Sequence, residues 1–379
     1  MLTSCAGTGS SGSTSASAAS AARITIAAKN HANNVSINNK AKVSVADGTL
    51  TKVTMTVADS GKTVDGKVAG DGKTWRPDKP LNRATTYKIS ATAKDSRNRL
   101  ATASSTFTTV SQASSFIANY TPENGSTVGV GMPVSLNFDK AITDKKDVES
   151  HIKVTSSSGQ KVVGHWFGGQ RVDFRPRSYW KPGSTVTLKL SLDGVKGAKG
   201  VIGVQSKTVI FTIGHSQVST VDGNTQKMTV MRDGKTLKTI PISLGSPENP
   251  AYNGQMVISE RYKTLRMDSR TVGFGNAYDI PDVPHAMRLS TSGTFIHGNY
   301  WASKSVFGSR GTSHGCVALS DTQGAGDPST DAAWFYDNSQ IGDVVVVKNS
   351  DDKTIQPDNG LNGWNMSWSA WNAGSALNA

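Results

Sequence analysis

Along most of this chain apolar and polar positions alternate with a period of two. The runs RITIAA, AKVSVADG, KVTMTVADSG and TYKISATAKD place an apolar or β-branched residue at every second position, with Gly, Asp and Asn between them. Strand side chains project alternately to opposite faces, so this pattern predicts short strands with one buried face. The punctuating residues supply the turns. Helical spacing is absent from this part of the chain, and residues 23–110 are expected to fold as a β-sandwich.

That stretch is about the size of an immunoglobulin-like domain, roughly 100 residues, and the next stretch repeats it. Trp75-Arg76-Pro77 aligns with Phe174-Arg175-Pro176, and twelve residues further on in each case Tyr87 and Val186 open an alternating strand. Each unit closes on Phe-Thr, at Phe107-Thr108 and Phe211-Thr212. Equal spacing and a shared closing strand argue for two tandem sandwiches, the second over 111–215.

After Gly214 the texture changes. QKMTVMRDGKTLKTIPISLG reads as a hairpin turning at Asp233-Gly234, a type I′ signal. Further strands are expected at QMVISE, GTFIH and DVVVVK, and a short helix at STDAAWFYDN capped by Ser329 or Thr330. This third, β-rich domain spans 216–350. In the extension 351–379, Trp364, Trp368 and Trp371 have the spacing of one helix face. Such a stripe is expected to dock on the protein's own surface, ahead of a role as an aromatic substrate face.

Composition narrows the function. The 379 residues suit two to four domains. The net charge of +13 is scattered as single Lys and Arg, which suits an anionic polymer or an acidic membrane face better than a nucleic-acid groove. No apolar run is long enough to cross a membrane as a helix. The Ser/Gly/Ala-rich residues 1–22 read as a flexible tether. Within them LTSC resembles the lipobox of bacterial lipoproteins, which would place a lipid anchor at Cys5 and the chain outside the cytoplasm.

Cys5 and Cys316 are the only cysteines, and with Cys5 in the tether a stable internal disulfide is not expected. His285, His297 and His314 lie within about thirty residues of Cys316. A thiol attacks as its thiolate, and an imidazole can take the proton. His314 is two residues from Cys316, on the same face if the segment is extended. His297 ends the strand GTFIH, and an adjacent strand would bring it opposite the thiol, so His297 is favoured as the base. Gly315 lets the backbone approach a substrate and offers an N–H to an oxyanion. Two other readings stand beside this one. Cys316 can be a small buried core residue, or the three histidines and Cys316 can ligate zinc, although no Cys-x-x-Cys or His-x-x-x-His pair supports that.

SHGC, preceded by a strand ending in histidine, resembles the catalytic signature of bacterial L,D-transpeptidases. The likeness extends through YTPENGSTVGVGMPVSLNFD, FRPRSYWKPG, RYKTLRMDS, AAWFYDNSQIGDVVVV and the Trp-rich tail. These stretches are similar to multidomain, cell-envelope members with two immunoglobulin-like domains before the catalytic one. The resemblance implies a thiolate that attacks the diaminopimelate carbonyl of a donor tetrapeptide stem of peptidoglycan. D-Alanine leaves, and a thioester forms. The side-chain amine of a second stem then resolves it to a 3→3 cross-link, with no cofactor and no metal.

Carried over by position, Cys316 is the nucleophile, His297 the base, and the Gly298 carbonyl orients that base. The family often has serine at that position, which a backbone role tolerates. His314 and Gly315 complete the motif. Met267, Tyr278, Ser292, Gly293 and Trp301 match substrate-cleft positions, with Ser313, Gly315 and Ala318 of the motif beside them. Ala318 departs from the usual Asn or Arg, which removes a polar contact. Carbapenems are implied as covalent inhibitors. The alternatives are an L,D-carboxypeptidase at the same site, where water outcompetes the amine, and a non-catalytic wall-binding module.

Overall fold

The computed structural model describes residues 19–38, 41–273 and 275–378. Cys5 and most of the tether lie outside the described residues. The chain divides into two compact units, Met1–Ser115 and Phe116–Ala379.

In the first unit, strands Arg23–Ile26, Val43–Ala46, Thr74–Pro77 and Gly66–Val68 form one sheet in that order. Thr49–Val57, Thr86–Lys94 and Leu100–Thr108 form another. Met55, Trp75, Tyr87, Ile89 and Phe107 fill the space between, the arrangement of a β-sandwich.

The second unit opens with another sandwich. One sheet runs Thr127–Val128, Ser206–Ile213, Thr185–Ser191, Ile152–Ser156. The other runs Val162–Phe167, Arg171–Pro176, Val134–Phe138, Ala118–Thr121. The repeat read from the sequence extends to strand pairing: Tyr87 lies opposite Phe107, and Val186 opposite Phe211. Each aligned pair is one rung of an antiparallel ladder, which fixes both the register and the inward face.

The region after Gly214 holds, among the described residues, one nine-stranded sheet. Its order is Gly254–Val257, Val344–Lys348, Gln217–Asp222, Lys227–Arg232, Lys235–Ser243, Val317–Ser320, Phe295–Asn299, Asp279–Arg288, Glu260–Asp268. The Asp233-Gly234 turn has φ of 51° and 80°, the left-handed pair that a type I′ hairpin requires. One face packs on helix Asp331–Asp337, whose N-cap Thr330 accepts from Ala333 N–H. Val230, Ile242, Met287, Ile296, Leu319 and Phe335 form that core.

The C-terminal extension is not one helix. Trp364 lies in a 3₁₀ turn, Gly363–Asn365, and only Trp368–Ala373 is α-helical. The three indoles converge on one cation instead: the Arg175 guanidinium lies 4.7, 5.5 and 4.2 Å from the rings of Trp364, Trp368 and Trp371. Burial holds the Arg175 pKa down to about 10. Its charge is met by the carbonyls of Pro176, Gly363 and Met366 and by the ring faces. Trp371 is fully buried and donates its Nε1–H to the Val163 carbonyl at 2.9 Å. Trp364 and Val257 belong to the second sandwich's core cluster, so sandwich, catalytic sheet and tail share packing within this unit.

Candidate active site

Strands Phe295–Asn299 and Val317–Ser320 lie side by side and parallel, with Ile296 opposite Val317 and His297 opposite Ala318. Alternation then sorts the side chains between two layers. Ile296, Val317, Leu319 and Met287 face the helix-covered core. Phe295 and Cys316 pack with Ala286 on the opposite layer, and His297 shares that parity. Cys316 therefore sits just before its strand, on the same face as His297 and one pleat away.

The segment that delivers the thiol is bent, not extended. Residues 314–316 form a bend, and Gly315 has φ of +92°, a conformation that costs a side-chain-bearing residue strain. Ser313 staples this turn: its hydroxyl accepts from Cys316 N–H at 2.9 Å and donates to the Cys316 carbonyl at 2.6 Å. His314 is exposed, with its ring 5.2 Å from that of Tyr278. The same-face relation of His314 and Cys316 expected for a strand does not apply within this bend.

Cys316 is 7% exposed. Burial pushes its pKa up to about 11, and its Sγ–H is directed to the Gly293 carbonyl at 3.7 Å. His297 is 5% exposed, and burial holds its pKa below the ordinary histidine value. Burial thus favours a neutral thiol and a neutral imidazole over an ion pair at rest. His297 Nδ1 lies 2.8 Å from the Gly298 carbonyl. A carbonyl only accepts, so Nδ1 carries the proton and Nε2 keeps a lone pair. The Trp301 ring stacks on the imidazole, with centroids 5.9 Å apart and planes 14° from parallel.

Both side chains line a cleft of about 410 Å³ with Met267, Tyr278, Trp301, Ser313 and His314. A hairpin carries one wall: Met267 on Glu260–Asp268 pairs with Ile280 on Asp279–Arg288. Burial and the nearby Cys316 raise the Tyr278 phenol to about 12, so it is a neutral donor at ordinary pH. The sequence reading missed Ile280, Asn299, Ala302, Ser303, Val306, Arg310 and Thr312 in the lining. Asn299 Oδ1 accepts from Trp301 N–H and Ala302 N–H. Asn two residues after the expected base was a usable signal for this loop anchor. Among the described residues, Arg310 is the one side chain of fixed charge in the lining.

Four expected substrate-contact positions, Ser292, Gly293, Gly315 and Ala318, are not among the residues whose side chains line the cleft. Ala318 is fully buried, paired with Ser243 on one side and His297 on the other, and does not line the cleft. Ser292 is tied to Asn359 through its N–H and its hydroxyl and also lies outside the lining. Gly293 touches the site through its carbonyl, and a Cβ there would meet Val272 Cγ1 at 2.4 Å. His285 turns away to Asp321, and no group of three or more potential metal ligands is gathered among the described residues.

A buried thiol, an oriented imidazole beside it and a tight glycine turn before the thiol define a cysteine acyltransferase site. Residues 32–196 match the bacterial Ig domain profile and residues 216–347 the L,D-transpeptidase catalytic domain profile. The chain is 36% identical over 358 residues to L,D-transpeptidase 2 of Mycobacterium tuberculosis, covering 93% of this chain and 85% of that protein. It is 30% identical to L,D-transpeptidase 5 of the same species, covering 88% and 73%. The solved structure of LdtMt1 in complex with imipenem aligns at TM-score 0.51 and 30% identity, over 61% of this chain and 98% of that one. The chain belongs to the L,D-transpeptidase family. It is an acyltransferase of the cysteine-nucleophile kind, with immunoglobulin-like structure ahead of the catalytic domain.

Proposed function

We propose that this chain forms 3→3 cross-links in peptidoglycan through a thioester on Cys316. The observation that carries the proposal is the pairing of Cys316 with an imidazole whose Nδ1 is committed to the Gly298 carbonyl, which leaves Nε2 as the one ring nitrogen able to accept a proton. A donor tetrapeptide enters the cleft with its diaminopimelate carbonyl against Sγ. The Sγ proton passes to His297 Nε2 as the sulfur–carbon bond forms. Cys316 N–H is held by Ser313 Oγ, so the Gly315 N–H is the donor for the developing oxyanion. Collapse breaks the carbonyl–nitrogen bond, His297 returns its proton to the leaving amine, and D-alanine departs. The side-chain amine of a second stem then attacks the thioester, gives its proton to His297, and leaves an amide with the thiol restored.

Trp301 stacked on the imidazole and Tyr278 beside the His314 ring restrict water in the cleft, which favours an amine acceptor over hydrolysis. Domain limits near 23, 111, 216 and 351 follow the same reading, with the sandwiches as spacers that carry the site into the wall of the cell envelope. Purified protein with a tetrapeptide donor tests the function by mass analysis of the products. A 3→3 dimer supports it. A tripeptide alone selects the carboxypeptidase reading, and no change selects a wall-binding module. A carbapenem serves as a second acyl donor. One adduct per chain is expected on the tryptic peptide from Gly311 to Lys348, and an adduct only on Cys5 refutes the site.

A further inference from the structure

Behind the cleft, the same strands carry a buried charge that the chemistry above does not use. Asp321 follows strand Val317–Ser320 and shares the parity of Leu319. Gly298 shares the parity of Ile296, and His285 that of Met287. All three positions therefore belong to the helix-covered layer, opposite His297 and Cys316. The Asp321 side chain is fully buried and the His285 side chain nearly so. Asp321 Oδ2 receives His285 Nδ1–H at 2.8 Å, while Oδ1 receives Thr322 N–H at 2.8 Å and the Thr330 hydroxyl at 2.9 Å. A buried carboxylate is costly even when it is so well bound.

Its position gives the cost a purpose. A Cβ built on Gly298 would lie 2.0 Å from Asp321 Oδ2 and 2.7 Å from its Cγ. The carboxylate occupies the space where residue 298 would carry a side chain. Only the Gly298 backbone separates it from His297, and the carbonyl of that residue receives His297 Nδ1–H. When His297 takes the thiol proton it becomes a cation in a site that holds it 5% exposed. The ionisable groups lining the cleft with it are Cys316, Tyr278, His314 and the cationic Arg310, and none offers a standing negative charge. Asp321 is the carboxylate that favours protonation of His297.

We propose that Asp321, anchored by His285 and admitted by the missing side chain of Gly298, is a positioning residue. It fixes the peptide that orients His297 and supplies, through the sheet, the negative charge that stabilises the imidazolium formed during acylation. This rests on the reading of Cys316 and His297 as the acylating pair.

The test uses the full chain carrying Asp321→Asn, a near-isostere that keeps hydrogen-bonding capacity towards Thr322 and Thr330. Removing a negative charge beside an imidazole lowers its pKa. The His297 titration, followed by NMR of labelled imidazole, should therefore move down by about half to one pH unit. The acid limb of the acylation profile should move with it, and kcat should fall about tenfold with KM within about twofold. Gly298→Ala should lose acylation as well, and the double variant Gly298→Ala/Asp321→Gly should regain the fold but not the rate. Should Asp321→Asn fail to fold, Asp321→Ser carries the same expectation. A His297 titration unchanged from the parent overturns the proposal, whatever happens to kcat. Because the NMR titration needs no turnover, its result stands apart from whether the chain cross-links stems at all.

Discussion

Alkylation of Cys316 by iodoacetamide, followed from pH 6 to 10.5, tests the neutral resting pair directly. Burial pushes the thiol to about 11, so at pH 7 the thiolate fraction is about 10⁻⁴, against about 3% for a free cysteine near 8.5. That is about a 300-fold deficit. A more basic thiolate is a better nucleophile, and a Brønsted slope of about 0.45 over roughly 2.5 units returns about 13-fold. The net expectation is alkylation about 20- to 30-fold slower than for a free thiol, before shielding by the cleft is counted. The rate should climb about tenfold per pH unit through pH 10 without a plateau. His297→Ala should leave this profile nearly unchanged, because no resting ion pair is lost. The same shift acts on stability. Its folded-state pKa is raised, so the stabilisation is complete below about 9 and is lost as pH rises towards 11, by up to about 3 kcal/mol. Cys316→Ala should flatten that alkaline decline. A plateau in alkylation below pH 8, removed by His297→Ala, would show a thiolate–imidazolium pair at rest and refute the reasoning.

Three further outcomes are expected. His297→Ala should lower cross-linking by about 10² to 10⁴, while His314→Ala, altering an exposed ring at the mouth of the cleft, should cost less; the reverse order in steady-state assays would reassign the base. Trp371→Ala should destabilise the unit Phe116–Ala379 by about 3–5 kcal/mol, through the lost indole, its bond to Val163 and its cover over Arg175, and calorimetry should show the loss without a change in unit Met1–Ser115. Arg310→Gln should raise KM for a donor stem bearing free carboxylates about tenfold and leave kcat nearly intact; equal effects on an amidated stem would show that Arg310 does not read the carboxylate.

Period-two alternation determined the strands and their inward faces in both sandwiches, because that signal is local: Tyr87 and Val186 each stand at the same place in the same rung. The Asp-Gly turn and the Thr330 cap were equally local. So was the chemistry of SHGC, since a thiol, an imidazole and a glycine within a few residues limit what the segment can do. Three features were decided only by tertiary structure. The parallel register that sets His297 opposite Ala318 joins segments about twenty residues apart, and nothing in either segment specifies the offset. The Trp stripe carried helical spacing, but the rings were placed by the buried Arg175 of the second sandwich, whose cation and carbonyl contacts outweigh the weak helix signal of a short segment. The burial of Ala318 and the carboxylate of Asp321 in the space beside Gly298 depend on which strands become neighbours. A sequence states which side chains are available, and the sheet order states which face they share, because distance in space and not along the chain sets packing and charge.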